Sequence, residues 1–210
     1  MVRKTKGEAQ ATYSALLDAA EREFSEKGVT RTTLNDVALS AGMTRGAIYW
    51  HFKDKNALFQ GMCDRVFLPM QVLLEEIAAS PGKEPIDALR QIMLHMLEQV
   101  ASNAQQKTVF DILFHRCEKD DELAFFRHEK QRRAECIAKL ELIIGEAVKK
   151  RILPENTDTW LAVHALNAGL IGLIYEWLID TDAYDLKSNA GAMVDFLLAG
   201  LVARPPLKRT

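Results

Sequence analysis

The segment between residues 44 and 55 carries the side chains of this 210-residue chain that are best suited to binding a nucleic acid. Arg45 has a planar guanidinium, which can donate two parallel hydrogen bonds to O6 and N7 of a guanine in the major groove of DNA. Groups that can donate to phosphate oxygens follow it: Tyr49, His51, Lys53 and Lys55. This pattern predicts that the segment binds double-stranded DNA, with one residue facing a base and the others facing the backbone.

Two short helices joined by a tight turn are predicted to position these side chains. The small residue Ala38 allows a close crossing of the helices, and Gly42 supplies the permissive backbone of the turn. Val37 and Ile48 are apolar at the spacing that fills the wedge between the two helices. The pattern is typical of a helix-turn-helix, whose second helix enters the major groove with its first turn at the base edges.

Four residues beside these extend the candidate DNA-binding surface. Thr44 stands at the start of the second helix, and Gly46 leaves room for the backbone to approach DNA. Thr32 and Thr33 precede the first helix, where backbone N–H groups and the helix dipole favour a phosphate.

A structural interpretation of the same region remains open. Tyr49 and Trp50 can pack in a core, and the lysines can simply face solvent. The basic residues Arg3, Lys4 and Lys6 form an arm that can enter a DNA groove or remain a solvated tail.

The composition is that of a globular protein, and no cofactor is expected. Hydrophobic residues make up 48% and charged residues 27%, and the net charge of −2 requires any DNA contact to be local. Eleven glycines and six prolines are few for a turn-rich all-β fold. Cys63, Cys117 and Cys136 are far apart, so neither a disulfide framework nor a zinc site is predicted. Free thiols of this kind are typical of the reducing cytoplasm.

The spacing of apolar residues predicts an all-α chain of nine helices. Gly28 and Gly42 end the first two, and Pro69 is expected to kink or end the fourth. The tail from Arg204 onward is expected to fray. The predicted helices span residues 8–27, 34–41, 45–52, 55–79, 86–101, 105–118, 121–150, 157–179 and 186–202.

The stretch from Trp160 to Ile179 is apolar over about the length that spans a bilayer. It also contains His164, Asn167 and Glu176, and ionisable groups such as these are costly in lipid. A helix that protein covers on both sides has the same composition. The sequence therefore favours a buried helix without a membrane partner, and the polar N-terminus gives no sign of a signal peptide.

The run from Gly42 to Lys55 resembles the DNA-binding signature of the TetR family of repressors, and this resemblance covers about residues 8–58. Looser patterns at Arg3–Lys6 and Ile112–Glu118 resemble the AcrR-like branch, whose members repress multidrug efflux pumps. The resemblance implies an all-α homodimer with an N-terminal three-helix DNA-binding domain followed by a larger helical bundle.

The same resemblance assigns roles to particular regions. The DNA-binding domain is placed at residues 1–54, and the ligand-binding and dimerisation domain at residues 55–204. Trp50 is expected to pack inside the three-helix unit. The family roles place Thr44, Arg45 and Gly46 near bases, and Tyr49, His51 and Lys55 at phosphates.

An apolar ligand cavity in the second domain is a further implication of this branch. Methionine is flexible and polarisable, so walls of methionine and phenylalanine suit varied hydrophobic ligands. The same residues are also compatible with the ordinary core of a helical bundle. The candidates are Val66, Phe67, Met70, Ile92, Met93, Met96, Phe110, Phe114, Leu166 and Leu170.

The last two predicted helices are expected to form the dimer contact, as a four-helix bundle with their symmetry mates. Gly169 and Gly172 allow close approach, and Trp160, Tyr175 and Trp177 offer large apolar contacts. Two-fold symmetry then predicts a palindromic operator with half-sites spaced by whole helical turns.

The resemblance to the AcrR-like branch implies a cytoplasmic repressor of an efflux operon that small hydrophobic effectors release from DNA. Two alternatives remain, a TetR-like regulator of metabolic or lipid genes and a regulator that responds to cysteine oxidation. An enzyme is not expected, because the five histidines are scattered and no H-E-x-x-H pair or phosphate-binding glycine loop occurs. Asp111, His115 and Glu118 share one helical face, which suits a metal ion or a solvated polar surface.

Overall fold

The computed structural model describes residues 6–78, 84–117 and 124–209 of the chain. Within these residues there are nine α-helices, one π-helical turn and no β-strand, so the prediction of an all-α fold is confirmed. The α-helices are α1 Lys6–Lys27, α2 Leu34–Ser40, α3 Arg45–His51, α4 Lys55–Ala78, α5 Pro85–Ser102, α6 Ala104–Asp111, α7 Ala124–Lys149, α8 Thr159–Ile179 and α9 Leu186–Ala203.

Most predicted helix boundaries agree with the structure to within about two residues, because local caps mark them. Asp158 and Asp185 cap α8 and α9 by accepting hydrogen bonds from backbone N–H groups of the first turn. The predicted ends at residues 79, 118 and 121, and the basic residues Arg3 and Lys4, lie outside the described residues.

The sixth helix differs from the prediction. α6 ends at Asp111 and continues as a π-helical turn over Ile112–Arg116, with Cys117 following in extended conformation. A π-turn bonds each N–H five residues back rather than four, and apolar spacing does not distinguish the two patterns. The predicted uniform α-helix over residues 105–118 is therefore wrong from Ile112 onward.

The fourth helix continues through Pro69, so of the two expected outcomes, a kink or an end, the end is wrong. A proline removes one N–H donor from the helix, and Pro69 itself lies exposed. Buried side chains secure the helix on both sides of it, at Phe59 and Met62 before the proline and at Leu74 and Ile77 after it.

One compact unit, called the N-terminal unit below, contains the described parts of residues 1–67 and 108–129. In its core Phe24 and Phe59 meet edge to face, with ring centroids 5.6 Å apart. Gly61 allows α4 to lie close against α1, since a Cβ there would be 2.7 Å from the hydroxyl oxygen of Tyr13. The helix-turn-helix region belongs to this unit.

A second compact unit, the C-terminal unit, contains the described parts of residues 68–107 and 130–210. Its helices α5, α8 and α9 pack against one another. Arg90 of α5 donates to both carboxylate oxygens of Asp195 of α9, at 2.6 and 3.1 Å, and this pairing lowers the pKa of Asp195. Gly169 of α8 permits close packing on Leu197 of α9, whose Cδ2 would lie 2.9 Å from an added Cβ.

The chain after α9 is fixed rather than frayed. The backbone N–H of Asp158 donates to the carbonyl of Pro206 at 2.8 Å, and the N–H of Lys208 donates to the carbonyl of Asn156 at 2.9 Å. The expected fraying is therefore wrong, because the partners of this segment lie far away in sequence, before α8.

Helices α8 and α9 are each long and apolar enough to cross a membrane, judged by length and composition alone. Two such helices are weak evidence for insertion, because core helices of soluble proteins meet the same criterion. Here both helices pack against α5 within the C-terminal unit.

Candidate nucleic-acid interface and ligand cavity

Thr33 fixes the start of α2 through a reciprocal cap. The hydroxyl and the backbone N–H of Thr33 donate to the Asp36 carboxylate at 2.6 and 2.9 Å, and these bonds lower the pKa of Asp36. The backbone N–H of Asp36 in turn lies 3.1 Å from the Thr33 hydroxyl oxygen. Thr33 is exposed, but its side chain is engaged in holding the first helix of the motif.

The turn between α2 and α3 has the geometry of a helix-turn-helix. Gly42 has φ of +67°, which a residue with a side chain rarely adopts. The N–H of Met43 donates to the carbonyl of Ala38 at 2.8 Å, which closes the turn. Ile48 of α3 is fully buried and fixes which face of α3 points outward.

The first turn of α3 presents the predicted base-facing residues to solvent. Thr44 caps the helix by accepting a hydrogen bond from the N–H of Ala47 at 3.3 Å. Arg45 is exposed, and its guanidinium carbon lies 5.3 Å from the ring centroid of Tyr49. Gly46 is exposed too, and an added Cβ would meet nothing nearer than the Thr44 hydroxyl oxygen at 3.9 Å. The backbone can therefore be approached closely here.

Trp50 lies on the surface with 73% of its area exposed, so the expectation that it packs inside the unit is wrong. The helix period explains this, because Ile48 is buried and a residue two positions on is turned by about 200°. Its ring contacts the edge of His51, with centroids 4.5 Å apart, and His51 itself lies half-buried beside Tyr13. The same period, counted from Ile48, is the sequence signal that identifies Trp50 as an outward residue.

The two lysines after α3 have different surroundings. The ammonium of Lys53 is largely exposed and lies 3.9 Å from the Asp54 carboxylate. The ammonium of Lys55 donates to the carbonyls of Val29 and Thr30 at 2.8 and 2.9 Å, and burial lowers its pKa more than nearby Cys117 raises it. Lys55 thus connects α4 to the loop after α1.

The structure also corrects the prediction that Thr32 contacts a phosphate. It is buried, and its hydroxyl donates to the carbonyls of Glu23 at 3.2 Å and Gly28 at 2.8 Å. The hydroxyl is therefore used inside the unit rather than offered to a phosphate.

A cavity of about 30 Å³ lies inside the C-terminal unit between α5, α7 and α8. Sites for drug-sized ligands measure about 300–1,000 Å³, so this cavity must widen to admit one. Four predicted ligand residues are in its wall, namely Ile92, Met93, Leu166 and Leu170. The remaining wall residues are Leu89, Leu140, Ile144, Val163 and Asn167.

The other predicted ligand residues lie elsewhere. Val66, Phe67, Phe110 and Phe114 belong to the N-terminal unit, where the Phe110 ring lies 5.5 Å from that of Phe67 and 5.7 Å from that of Phe114. Met70 and Met96 belong to the C-terminal unit, are half-buried, and are not in the cavity wall.

Some of the predicted dimer residues are exposed in the structure and others are buried. Trp160 and Tyr175 of α8 are 57% and 44% exposed, and Gly172 has open space beside it. Trp177 is buried in its own protomer, where its indole N–H donates to the carbonyl of Tyr184 at 3.1 Å. Its assignment to a dimer contact is corrected accordingly.

The candidate metal and thiol groups of the sequence are Asp111, His115, Glu118 and the three cysteines. No group of three or more metal-ligating side chains is found among these residues. His115 Nδ1 lies 2.9 Å from the carboxylate of Asp111, and Glu118 lies outside the described residues. Cys63 is buried, Cys117 and Cys136 are half-buried, and none of the three forms a disulfide.

An all-α chain that presents an arginine at the start of the second helix of a helix-turn-helix has the features of a helical DNA-binding regulator. Residues 16–62 match the family described as bacterial regulatory proteins, tetR family, and residues 84–202 match the C-terminal region of MAATS-type transcriptional repressors. The chain belongs to the TetR family of transcriptional regulators.

Individual relatives are similar to this protein over nearly the whole length of the chain. The HTH-type transcriptional regulator TtgR of Pseudomonas putida is 35% identical over all of both chains. NalD, described as the secondary repressor of the MexAB-OprM multidrug efflux pump in Pseudomonas aeruginosa, has a TM-score of 0.76 and 29% identity, with 93% of this chain and 98% of that chain covered. A complex of SmeT with triclosan has a TM-score of 0.79 and 29% identity, with 95% and 100% covered; SmeT is the repressor of the Stenotrophomonas maltophilia efflux pump SmeDEF.

Proposed function

We propose that this protein is a ligand-responsive repressor that binds a palindromic operator as a homodimer and controls a multidrug efflux operon. The observation that carries the proposal is the outer face of α3, where Arg45, Tyr49 and Trp50 are all exposed on a helix that buried Ile48 holds in place. The efflux assignment is supported by similarity to NalD and SmeT, which are described as repressors of efflux pumps.

The exposed face of α3 enters the major groove in this proposal. Arg45 pairs with a guanine, and its guanidinium lies next to the Tyr49 ring on the same exposed face of α3. Thr44 and Gly46 bring the first turn close to the base edges. Trp50 joins the predicted set and offers its ring to a thymine methyl or a sugar, while His51 and Lys53 face phosphates.

Dimerisation is assigned to α8 and α9, which keep large apolar side chains exposed in the single protomer. Trp160, Tyr175 and Ile179 of α8 are exposed, as are Phe196 and Val202 of α9. Exposed apolar residues concentrated on two adjacent helices are typical of an interface between copies of a chain. In the same proposal residues 1–54 bind DNA, and residues 55–204 bind the effector and dimerise.

The effector is a small hydrophobic molecule that binds the C-terminal unit, and triclosan is a suitable probe because it forms a complex with SmeT. The protein acts in the cytoplasm as a regulator rather than as an enzyme, in keeping with relatives that are transcriptional regulators.

The test of this function is a titration of a fluorescent fragment of the gene's own upstream region at fixed salt, with sedimentation of the complex. We expect saturable nanomolar binding of two protomers per site and at least about 10³-fold weaker binding to a scrambled fragment. Equal affinity for both fragments, or a single protomer in solution at micromolar concentration and on DNA, would contradict the proposal.

Replacing Lys53 should change the salt dependence of upstream-fragment binding, whereas replacing Lys55 should leave it nearly unchanged. Each phosphate contact contributes about 0.9 to the slope of log Kd against log salt, so Lys53→Gln should reduce the slope by about 2 in the dimer. Lys55→Gln removes two hydrogen bonds to backbone carbonyls. It should therefore lower the free energy of unfolding by about 1–2 kcal/mol and leave the slope nearly unchanged.

Each lysine variant is the control for the other, with stability measured by urea unfolding. A slope that falls equally in both variants would show that Lys55 leaves its carbonyl partners to contact DNA.

A further inference from the structure

Gly46 and Trp50 occupy the part of α3 that is turned farthest from the core of the N-terminal unit. They stand two positions before and two positions after buried Ile48, so a rotation of about 100° per residue turns each about 160° away from it. Arg45 is turned only about 60° from Ile48 and reaches the bases from the edge of this face by its longer side chain. Gly46 and Trp50 therefore have the most direct access to the base edges when α3 enters the major groove.

The Trp50 ring is turned away from Gly46. A long side chain on a helix ordinarily leans toward the N-terminus, over the residue four positions before it, which for Trp50 is Gly46. Beyond its immediate chain neighbours, however, a Cβ added at Gly46 would have only the Thr44 hydroxyl oxygen near it, at 3.9 Å. The indole instead meets the His51 ring, with centroids 4.5 Å apart and planes at 85°. A bare stretch of backbone thus lies beside an indole that is 73% exposed.

Tyr13 of α1 supports the His51 ring. The two ring centroids are 5.9 Å apart, and Tyr13 also stacks on buried Phe52, with centroids 5.0 Å apart and planes at 28°. The Tyr13 hydroxyl fits against Gly61 of α4, where an added Cβ would be 2.7 Å from its oxygen. Tyr13 is therefore fixed at both ends, and it limits the rotation of the His51 ring on which the indole rests.

The space between the Trp50 indole and the bare backbone at Gly46, called the α3 notch below, suits the C5-methyl group of thymine. This methyl is the apolar group that thymine presents in the major groove, and proteins recognise it by apolar contact. The indole supplies a large apolar surface, and the missing Cβ at Gly46 leaves room for a group of methyl size. Cytosine has no methyl group at this place and gains nothing from the notch.

We propose that the α3 notch selects thymine and that Tyr13, acting through His51, is the positioning residue that keeps the notch open. Without this support the indole would lean back over Gly46 and close the notch. The proposal rests on the operator binding proposed above and specifies a base that α3 selects.

An upstream fragment in which deoxyuridine replaces every thymidine tests this selection, because only the methyl groups are removed. Burial of one methyl group corresponds to about a fourfold gain in affinity, so the wild-type dimer should bind the thymine fragment about 15-fold more tightly than the uracil fragment. Trp50→Ala should reduce this ratio to less than about twofold, because the apolar wall of the notch is lost.

The variants of Tyr13 test its positioning role. Tyr13→Leu should lower the ratio below about fourfold, whereas Tyr13→Phe, which keeps the ring, should retain it. A merely structural loss would weaken binding to both fragments alike and leave the ratio unchanged. His51→Leu removes the same support directly, and it decides the positioning role if Tyr13→Leu unfolds. Tyr184→Leu is the matched control, because Tyr184 lies in the C-terminal unit and pairs with Glu176, and it should leave the ratio unchanged.

Gly46→Ala tests the notch without loss of folding. Alanine favours a helix more than glycine does, and the space beside Gly46 is open within the protein. The added methyl group should fill the notch, so this variant should bind the thymine and uracil fragments with similar affinity. Thermal unfolding confirms that each variant is folded.

Three results would overturn the proposal: equal wild-type affinity for the two fragments, a ratio that is unchanged in Trp50→Ala or Gly46→Ala, or an unchanged ratio in the folded variant that removes the support of the indole. Failure of the proposed function would appear separately, as wild-type protein that binds the upstream fragment no more tightly than the scrambled one.

Discussion

Replacing Arg45 with alanine should weaken binding of the upstream fragment by about 10² to 10⁴-fold, with little change in binding to scrambled DNA. A bidentate arginine–guanine pair contributes about 1–3 kcal/mol of discrimination, and a dimer on a palindrome loses two such pairs. The effect should be large because Arg45 is exposed at the first turn of α3, where its guanidinium carbon lies 5.3 Å from the ring centroid of Tyr49. Nonspecific binding depends on phosphate contacts elsewhere and should persist.

Arg133→Ala is the matched control for this experiment, since Arg133 is an exposed arginine on α7 of the C-terminal unit. It removes the same charge and should change specific affinity less than about twofold. An Arg45→Ala protein that stays within about threefold of wild type on the upstream fragment would show that α3 does not read bases through this residue.

Replacing Arg65 with leucine should lower the free energy of unfolding by about 2–3 kcal/mol. The Arg65 guanidinium of α4 donates to the Asp18 carboxylate of α1 at 2.7 Å and also to the Glu21 carboxylate. Glu21 is buried, so removing its partner leaves a carboxylate without compensation. Breaking a buried pair costs about 3–5 kcal/mol, and the partial exposure of Arg65 places this case at or below the lower end of that range.

A second replacement distinguishes the cost of an unpaired carboxylate from that of lost packing. Arg65→Leu combined with Glu21→Leu should recover most of the lost stability, because the buried carboxylate that lost its partner is also removed. Lys139→Leu provides the comparison with an exposed pair, since the Lys139–Glu75 contact lies at the surface and should contribute less than about 1 kcal/mol. Urea unfolding that gives equal losses for Arg65→Leu and Lys139→Leu would contradict the assigned role of the buried carboxylate.

Features that depend on nearby residues were predictable from the sequence. The caps of α2 and α3, the glycine turn at Gly42 and the buried Ile48 all depend on residues within one or two turns, and the structure has them where the sequence indicates. The exposed position of Trp50 was also predictable from this periodicity. The family resemblance led instead to the expectation that Trp50 packs inside the three-helix unit.

Features that depend on distant partners were not predictable. The tail that pairs with Asn156 and the use of the Thr32 hydroxyl inside the N-terminal unit both depend on contacts that sequence spacing does not encode. The ligand residues show the same limit. Periodicity identifies which face of a helix is apolar, but not which helix covers it. The family resemblance groups Phe110 with Met93, and these two residues belong to different compact units.

The central claim is that DNA and a hydrophobic effector weaken each other's binding to this protein from separate sites, and one measurement tests it most directly. The Kd for the fluorescent upstream fragment is determined at increasing triclosan, alongside calorimetry of triclosan with and without DNA. We predict that the Kd rises about 5- to 150-fold and then levels off, and that DNA weakens triclosan binding by the same factor, as thermodynamic linkage requires. An unchanged Kd at triclosan concentrations that saturate the protein would contradict the claim.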